Sequence, residues 1–452
     1  MGSRPVSHSD GDMTMRLACV AVVIAGMASA CIDARADSLL QYPAKAWIAR
    51  RAHYDPNAEC AKVATIAAFR AYSGGAPCIV LTHSVSGGRF NSGGCSADDG
   101  GVCVRASTGT YYLRPLGTPH VWHTDYYIAA SATDQSALAA VTYYSRLDAG
   151  AIVIFDRIYD QTDTLNIYDN ITYRGGGLRR SCQVSTVLTA DLSPVGTTLE
   201  VESTSGFSNG RMVFIAPSNG YEPSIWASSI VGTPVDATHM TINAPLGYTA
   251  SAGWRVSTVW QQIRQLDGTG TPGHTPGMVI EDMEFDGNAS CNTHVHDWRY
   301  QDVGAIKSAT VTGVYVHDTP AEAFTICGTT LRNSRFVGLA GSAVHKSCGS
   351  GYDDTIDAIT TLRSNQLGDA LLGHSEGTIT LSANAGRITL TGSAFVDGAE
   401  GVFGLLNGDD AGNVARGNTF VRHARWCSRT AADAIDIADN TYVDTPQIGG
   451  CP

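Results

Sequence analysis

A short pattern returns along Gly277–Tyr442: apolar residues in alternation, then Asn or another small polar residue, then an aromatic or aliphatic anchor. The clearest copies are Asn365-Gln-Leu367, Asn418-Thr-Phe420 and Asn440-Thr-Tyr442, and looser ones end at Phe285, Val316, Phe336 and Phe395. Successive anchors stand 20 to 31 residues apart. That is the period of a solenoid, whose copies are each too short to bury their own apolar side and must stack. Within the copies, Thr310–Val316, Thr378–Leu381 and Arg387–Thr391 are β-branched runs of period two, with Gly and Asn at the breaks. Helical periodicity and the strict Leu spacing of a leucine-rich repeat are both missing. The reading is all-β: a right-handed parallel β-helix with its anchors inside. The recurrent Asn forms a ladder at one inner turn, each amide bonding to the next coil.

The 452 residues allow one large solenoid with small appendages. Only 16% of them are charged and 49 are Gly, which suits a turn-rich β protein. A net charge of −12 argues against nucleic acid as a partner; an acidic polymer would need a local basic patch or a divalent cation. Arg16 followed by the apolar run Leu17–Ala28, with cleavage candidates after Ala30 and Ala36, reads as an export signal over 1–36. The run is too short to span a membrane; Ala30-Cys31 leaves a lipoprotein as the alternative. Cleavage after Ala36 leaves ten cysteines and no CxxC pair, so disulfides are expected rather than zinc. Cys60, Cys78, Cys95 and Cys103 are expected to pair among themselves, and Cys451 to pin the tail to Cys427.

Residues 37–119 form a small Cys-rich region, with one helix over Glu59–Tyr72 and a loop over Gly87–Gly101. Ser131–Gly150 reads as a helix capped by Thr133 or Ser131. Short strands follow at Ala151–Phe155 and within Leu165–Tyr173, then a turn at Gly175–Gly177. A helix, then Gly-Ala-Ile-Val-Ile and Asn-Ile-Thr-Tyr-Arg-Gly-Gly-Gly, is similar to the opening of pectin-lyase-like β-helix proteins. The resemblance implies that the helix caps the first coil, that the β-helix runs over 120–452, and that a polysaccharide is the substrate or ligand. Because that superfamily holds lyases, hydrolases and adhesins, it does not choose between cleavage and binding. Val184–Gln265 reads as a small antiparallel β insertion, with Tyr221, Trp226 and Trp254 either packing it or stacking on sugar.

A filled β-helix keeps its chemistry outside, where side chains of successive coils line up. One ladder follows the anchors: Asp286, His317-Asp318, Asp369, Asp397 and His423. A second lies on the next strand: Lys307, His345-Lys346, and His374 with Glu376. The expectation is that Asp318, His345, Lys346, His374 and Glu376 share one outer groove. In a lyase, Lys346 or His345 is the base; in a hydrolase, Asp318 and Glu376 are the carboxylate pair. His317, Asp353, Asp354, Trp226 and Tyr221 are the substrate-binding candidates. Asp353-Asp354 with Gly373-His374 faintly resembles polygalacturonase-type hydrolases, but Ser375 replaces the expected Gly and other elements of that pattern are missing. Asp409-Asp410 is either a solvated turn or a calcium ligand set. There is no phosphate loop and no HExxH, and His294 with His296 is a weak metal signal.

Overall fold

The computed structural model describes residues 59–217, 227–267, 277–292, 303–346, 352–363, 379–382, 387–398, 401–406, 413–423, 425–427 and 435–445. The export segment, Cys31, Tyr221, Trp226, His294, His296, Leu367, Asp369, His374, Glu376, Asp409 and Asp410 lie outside them.

Short strands three to six residues long repeat in threes along the chain, and each third strand pairs in parallel with its counterpart one coil away. Three long sheets result. The first face runs from Val121–His123 to Ile435–Ala438, the second from Ile158–Gln161 to Thr441–Val443, and the third from Leu165–Tyr168 to Arg425–Cys427. This is a single-stranded parallel β-helix, the architecture the resemblance implied.

Alternation decides which side chains go inside. On the second face, Leu178, Phe285, Val316, Phe336, Thr361, Phe395, Phe420 and Tyr442 stand in one register-matched line. Phe285, Val316, Phe336 and Phe395 are fully buried, and Phe420 nearly so. Phe395, Phe420 and Tyr442 stack ring on ring at 5.4 and 5.2 Å. Removing one such ring from water contributes about 1.5–3 kcal/mol. The inward position between Phe336 and Phe395 belongs to Thr361; Leu367, the anchor expected there, lies outside the described residues.

The corner between the first and second faces is built the same way in every described coil from Asp282 on. One residue there has a positive φ near 50–66°: Asp282, Gly313, Asn333, Ala358, Gly392, Gly417 or Asp439. The next residue is Met283, Val314 or Ile359 in three of these coils, and in the other four it is Ser334, Ser393, Asn418 or Asn440, whose side chain accepts from the preceding coil. Asn440 Oδ1 accepts from the Asn418 N–H (2.8 Å), Asn418 Oδ1 from Ser393 N–H (3.0 Å), and Ser393 Oγ from Ile359 N–H (3.2 Å). Ser334 Oγ accepts from Val314 N–H at 3.3 Å in the same way. The amide ladder therefore exists over Asn440, Asn418 and Ser393, with serine also at Ser334, and it is interrupted by Ile359 and Val314, whose own N–H groups it satisfies across coils.

The helix near the start is Asp134–Ser145, shorter than expected at both ends, with Thr133 as N-cap in a capping box with Ser136. Its Ala137, Leu138 and Val141 join the solenoid core and close the first coil. Ahead of it, the Cys-rich segment is a five-stranded sheet with its own core of Ile66, Phe69, Ile79, Leu81, Phe90, Val104 and Tyr112. The helix expected over Glu59–Tyr72 covers only Ile66–Arg70, because Ala61–Val63 is taken as a strand by Cys78–Leu81. Gly88–Ser92, expected as loop, is likewise a strand. Cys95–Cys103 and Cys182–Cys291 are disulfides, and Cys60 and Cys78 are each disulfide-bonded. Bonds of this kind persist in an oxidising compartment.

The insertion leaves the second face after Gly177–Arg180 and returns to the third at Ile263–Leu266. It is antiparallel and has a separate core that includes Leu199, Val213, Ile215, Val231 and Val256. Trp254 packs against that core and lies 6.2 Å from the Tyr248 ring, so it fills the insertion rather than facing a ligand.

Candidate functional site

The outer side of the second face carries two rows that flank the inward anchors. One is Glu284, Tyr315 and Arg335; the other is Asp160, Arg179, Asp286 and His317. Parallel coils advance about 4.8 Å each, so these groups form a continuous strip across five coils. At its centre is His317, whose side chain is 15% exposed. Its Nε2 donates to Glu284 Oε1 (3.1 Å) and its Nδ1 to Asp318 Oδ2 (2.9 Å), with Asp286 Oδ1 at 4.0 Å. With both ring nitrogens facing carboxylates, only the imidazolium satisfies both. Burial works against the charged ring, but Asp318 and Glu284 outweigh it and hold the His317 pKa above the usual imidazole value.

The surroundings extend this cluster. Tyr315 lies nearly flat on His317, 4.6 Å between ring centroids, and the Arg335 guanidinium is 5.6 Å from the Tyr315 ring. Arg179 bonds Asp286 at 3.1 Å and approaches Asp160 at 3.9 Å. Asp318 sits at the corner after its strand with φ 50°, and its side chain is 61% exposed. The chain after Asp286 presses on the backbone of Asp318: a Cβ on Gly287 would lie 2.4 Å from Thr319 Cα. One donor atom from each of Asp286, His317 and Asp318 falls within 4.8 Å of the others, and among the described residues no other His, Cys, Asp or Glu group of three does this.

Of the expected residues, the structure brings Asp318 together with His317, and adds Asp286 from the first ladder. His374, Glu376, Tyr221 and Trp226 lie outside the described residues, and the described ones go elsewhere. Lys346 does not face a groove. It is fully buried, aligned with the inward Ile326, and its Nζ donates to Asp354 Oδ2 (2.5 Å), Arg387 O (2.6 Å) and Tyr352 O (3.0 Å). Asp354 is its interior counter-ion rather than a substrate ligand, and also accepts from Thr329 N–H at 2.6 Å. Two residues from Val344, Lys346 must share that inward side by strand parity.

His345 points to the other side of the third face, yet is 5% exposed, and its Nδ1 meets both oxygens of the buried Glu322 at 2.9 and 3.0 Å. Asp353 is exposed and accepts from Arg387 N–H at 3.1 Å. Asp397 lies further along, bonded by both oxygens to Arg422. Glu284, Tyr315, Arg179 and Arg335 were missed. All stand next to an inward anchor, so parity read on both sides of each anchor would have found them.

No protein-family model matches the sequence, and no curated protein matches it. Solved structures to which the chain is similar include the following. A Pantoea stewartii glycan biofilm modifying enzyme, WceF, has 8% identity over 86% of this chain and 48% of that one, with a TM-score of 0.36. An exopolygalacturonase of Thermotoga maritima has 9% identity over 69% and 70%, with a TM-score of 0.34. A tailspike of Acinetobacter baumannii bacteriophage Fri1, a capsular polysaccharide depolymerase, has 10% identity over 86% and 76%, with a TM-score of 0.33.

Proposed function

We propose that this protein is an exported enzyme that cleaves a polysaccharide by hydrolysis along the outer side of its second face. The observation that carries the reading is the placement of Asp286 and Asp318, with an oxygen of each within 4.8 Å, beside the imidazolium of His317 and in a strip of aromatic and guanidinium groups. Two carboxylates this close leave no room for a water between them and the sugar, which is the arrangement for a retaining double displacement. Asp286, held by Arg179, attacks the anomeric carbon. Asp318, the more exposed, gives its proton to the leaving oxygen and then takes one from the water that releases the sugar. His317 supplies and recovers that proton through its bond to Asp318. Tyr315 offers a flat face for a sugar ring.

A lyase with Lys346 as base has no support, since that ammonium is enclosed in the solenoid. The test is a panel of neutral and acidic polysaccharides, followed for new reducing ends and for absorbance of unsaturated products. Hydrolysis by the parent, lost in Asp318→Asn and in Asp286→Asn, is expected. Unsaturated products, or full activity in both variants, would overturn the reading.

A second reading, non-catalytic glycan binding, draws on the first face. There Thr310, Thr330, Thr355 and Thr389 line up on the outer side of four successive coils, a flat row of hydroxyl groups. Saturable binding by a parent that cleaves nothing on the panel would select it.

A further inference from the structure

The insertion is rooted beside the site, and one covalent bond joins them. Cys182, at the insertion's first residues, is bonded to Cys291, five residues beyond Asp286. The segment between Asp286 and Cys291 is tied in both directions. On the insertion side, Gln183 N–H donates to Asn292 Oδ1 at 3.0 Å and Asn288 Nδ2 donates to Arg180 O at 3.0 Å. The buried Asn292 closes the loop on itself by donating to Asn288 O at 3.0 Å. On the site side, Asn288 N–H donates to Asp286 Oδ1 (2.8 Å), Gly287 N–H to His317 O (2.9 Å) and Ala289 N–H to Asp318 O (2.8 Å). Gly287 rests directly on Asp318 and Thr319.

We infer that the Cys182–Cys291 disulfide, with Asn292, is a positioning device: it presses the loop after Asp286 onto the Asp318 backbone and so sets the spacing of the two carboxylates around His317. The physical reason is leverage. Asp318 sits at an exposed corner in the left-handed conformation that recurs two residues after each anchor from Val316 on; its N–H donates to Val337 O of the next coil (3.0 Å), while the bond its carbonyl accepts, from Ala289 N–H, comes from this loop. The loop in turn has no strand of its own between Asp286 and Asn292 and is fastened at its far end by the disulfide. The inference rests on the second face being the cleavage site, and extends it to groups that never touch substrate.

The test compares the full-length parent with Cys182→Ala/Cys291→Ala, with Asn292→Ala, and with Cys95→Ala/Cys103→Ala as a control that removes a disulfide from the N-terminal sheet. The first readout is the titration of the His317 ring by NMR, which needs no substrate. The charged and titratable groups facing that ring are Glu284, Asp286, Asp318 and Tyr315, with Arg179 and Arg335 beyond them. Cutting the clamp lets Asp318 drift, so the His317 pKa moves down toward its ordinary value in both clamp variants and stays put in the control. The second readout is kinetic: kcat falls on the order of 10–100-fold while KM changes little, as expected when reacting groups shift by about an ångström. If the His317 titration matches the parent in both clamp variants, the clamp idea is wrong whatever the activity. If it moves but the parent cleaves nothing, the clamp stands and the hydrolase reading falls. Should the double cysteine variant fail to fold, Asn292→Ala carries the same decision.

Discussion

Lys346→Met is the most discriminating single change, because it leaves a carboxylate inside a closed solenoid. Lys346 and Asp354 are 0% and 1% exposed. Burial pushes the Asp354 carboxyl up, while Lys346 and the Thr329 N–H pull it down. Without the ammonium, Asp354 will take a proton rather than stay charged. Holding a carboxyl protonated at pH 7 against an unfolded value of about 3.9 costs about 4 kcal/mol, at about 1.4 kcal/mol per pH unit. That ceiling agrees with the roughly 3–5 kcal/mol typical of breaking one partner of a buried pair.

The sign follows from linkage. In the variant the folded-state pKa of Asp354 is raised, so its penalty is absent below about pH 4 and grows as pH rises toward the folded value. Urea unfolding of parent and variant at several pH values is the assay. The gap should widen from about pH 4 to neutrality, and Lys346→Met/Asp354→Asn should recover most of it, since Asn still accepts from Thr329. A Lys346→Met gap under about 1 kcal/mol at pH 7, or one that does not change with pH, would refute an enclosed pair.

Phe395→Ala removes a fully buried ring from the stack with Phe420 and should cost about 3–5 kcal/mol by urea unfolding. Asn418→Ala orphans the buried Ser393 N–H and frees the Leu390 carbonyl, for a loss of about 1–3 kcal/mol by the same measurement. For His317, the folded pKa is raised, so its stabilisation is complete below the unfolded value of about 6.5 and fades as pH rises through the folded value. The unfolding free energies of parent and His317→Gln should therefore converge as pH rises from about 6.5 through the folded value.

Much of the fold could be read because apolar parity survives in most coils. Phe285, Val316, Phe336, Phe395 and Phe420 each announce an inward position. The rule fails at Thr361, whose hydroxyl hides the parity, so the pattern points to Leu367 instead. The site was half legible: Asp286 and His317 follow their anchors by one residue and therefore face out. Lys346 carries a charge that suggests an outward position, but Val344 two residues earlier fixes its side as inward. Helix lengths failed for a different reason. Glu59–Tyr72 has helical propensity, but a neighbouring strand competes for its first turn, and pairing across Ala61–Val63 wins.

The left-handed corner residues stand three positions before each inward anchor of the second face, from Asp282 and Phe285 to Asp439 and Tyr442. That distance never varies, while the coils themselves run from 20 to 34 residues between successive corners. All variation in length is therefore absorbed at the other two edges. The molecule has one fixed hem and two free margins. Chain can be added or removed at the margins without disturbing the stacking that defines the column, and the carboxylates around His317 lie at one of those margins. A column of this kind can change what it recognises by altering its loops alone, keeping its hem, its core and its amide ladder as they are.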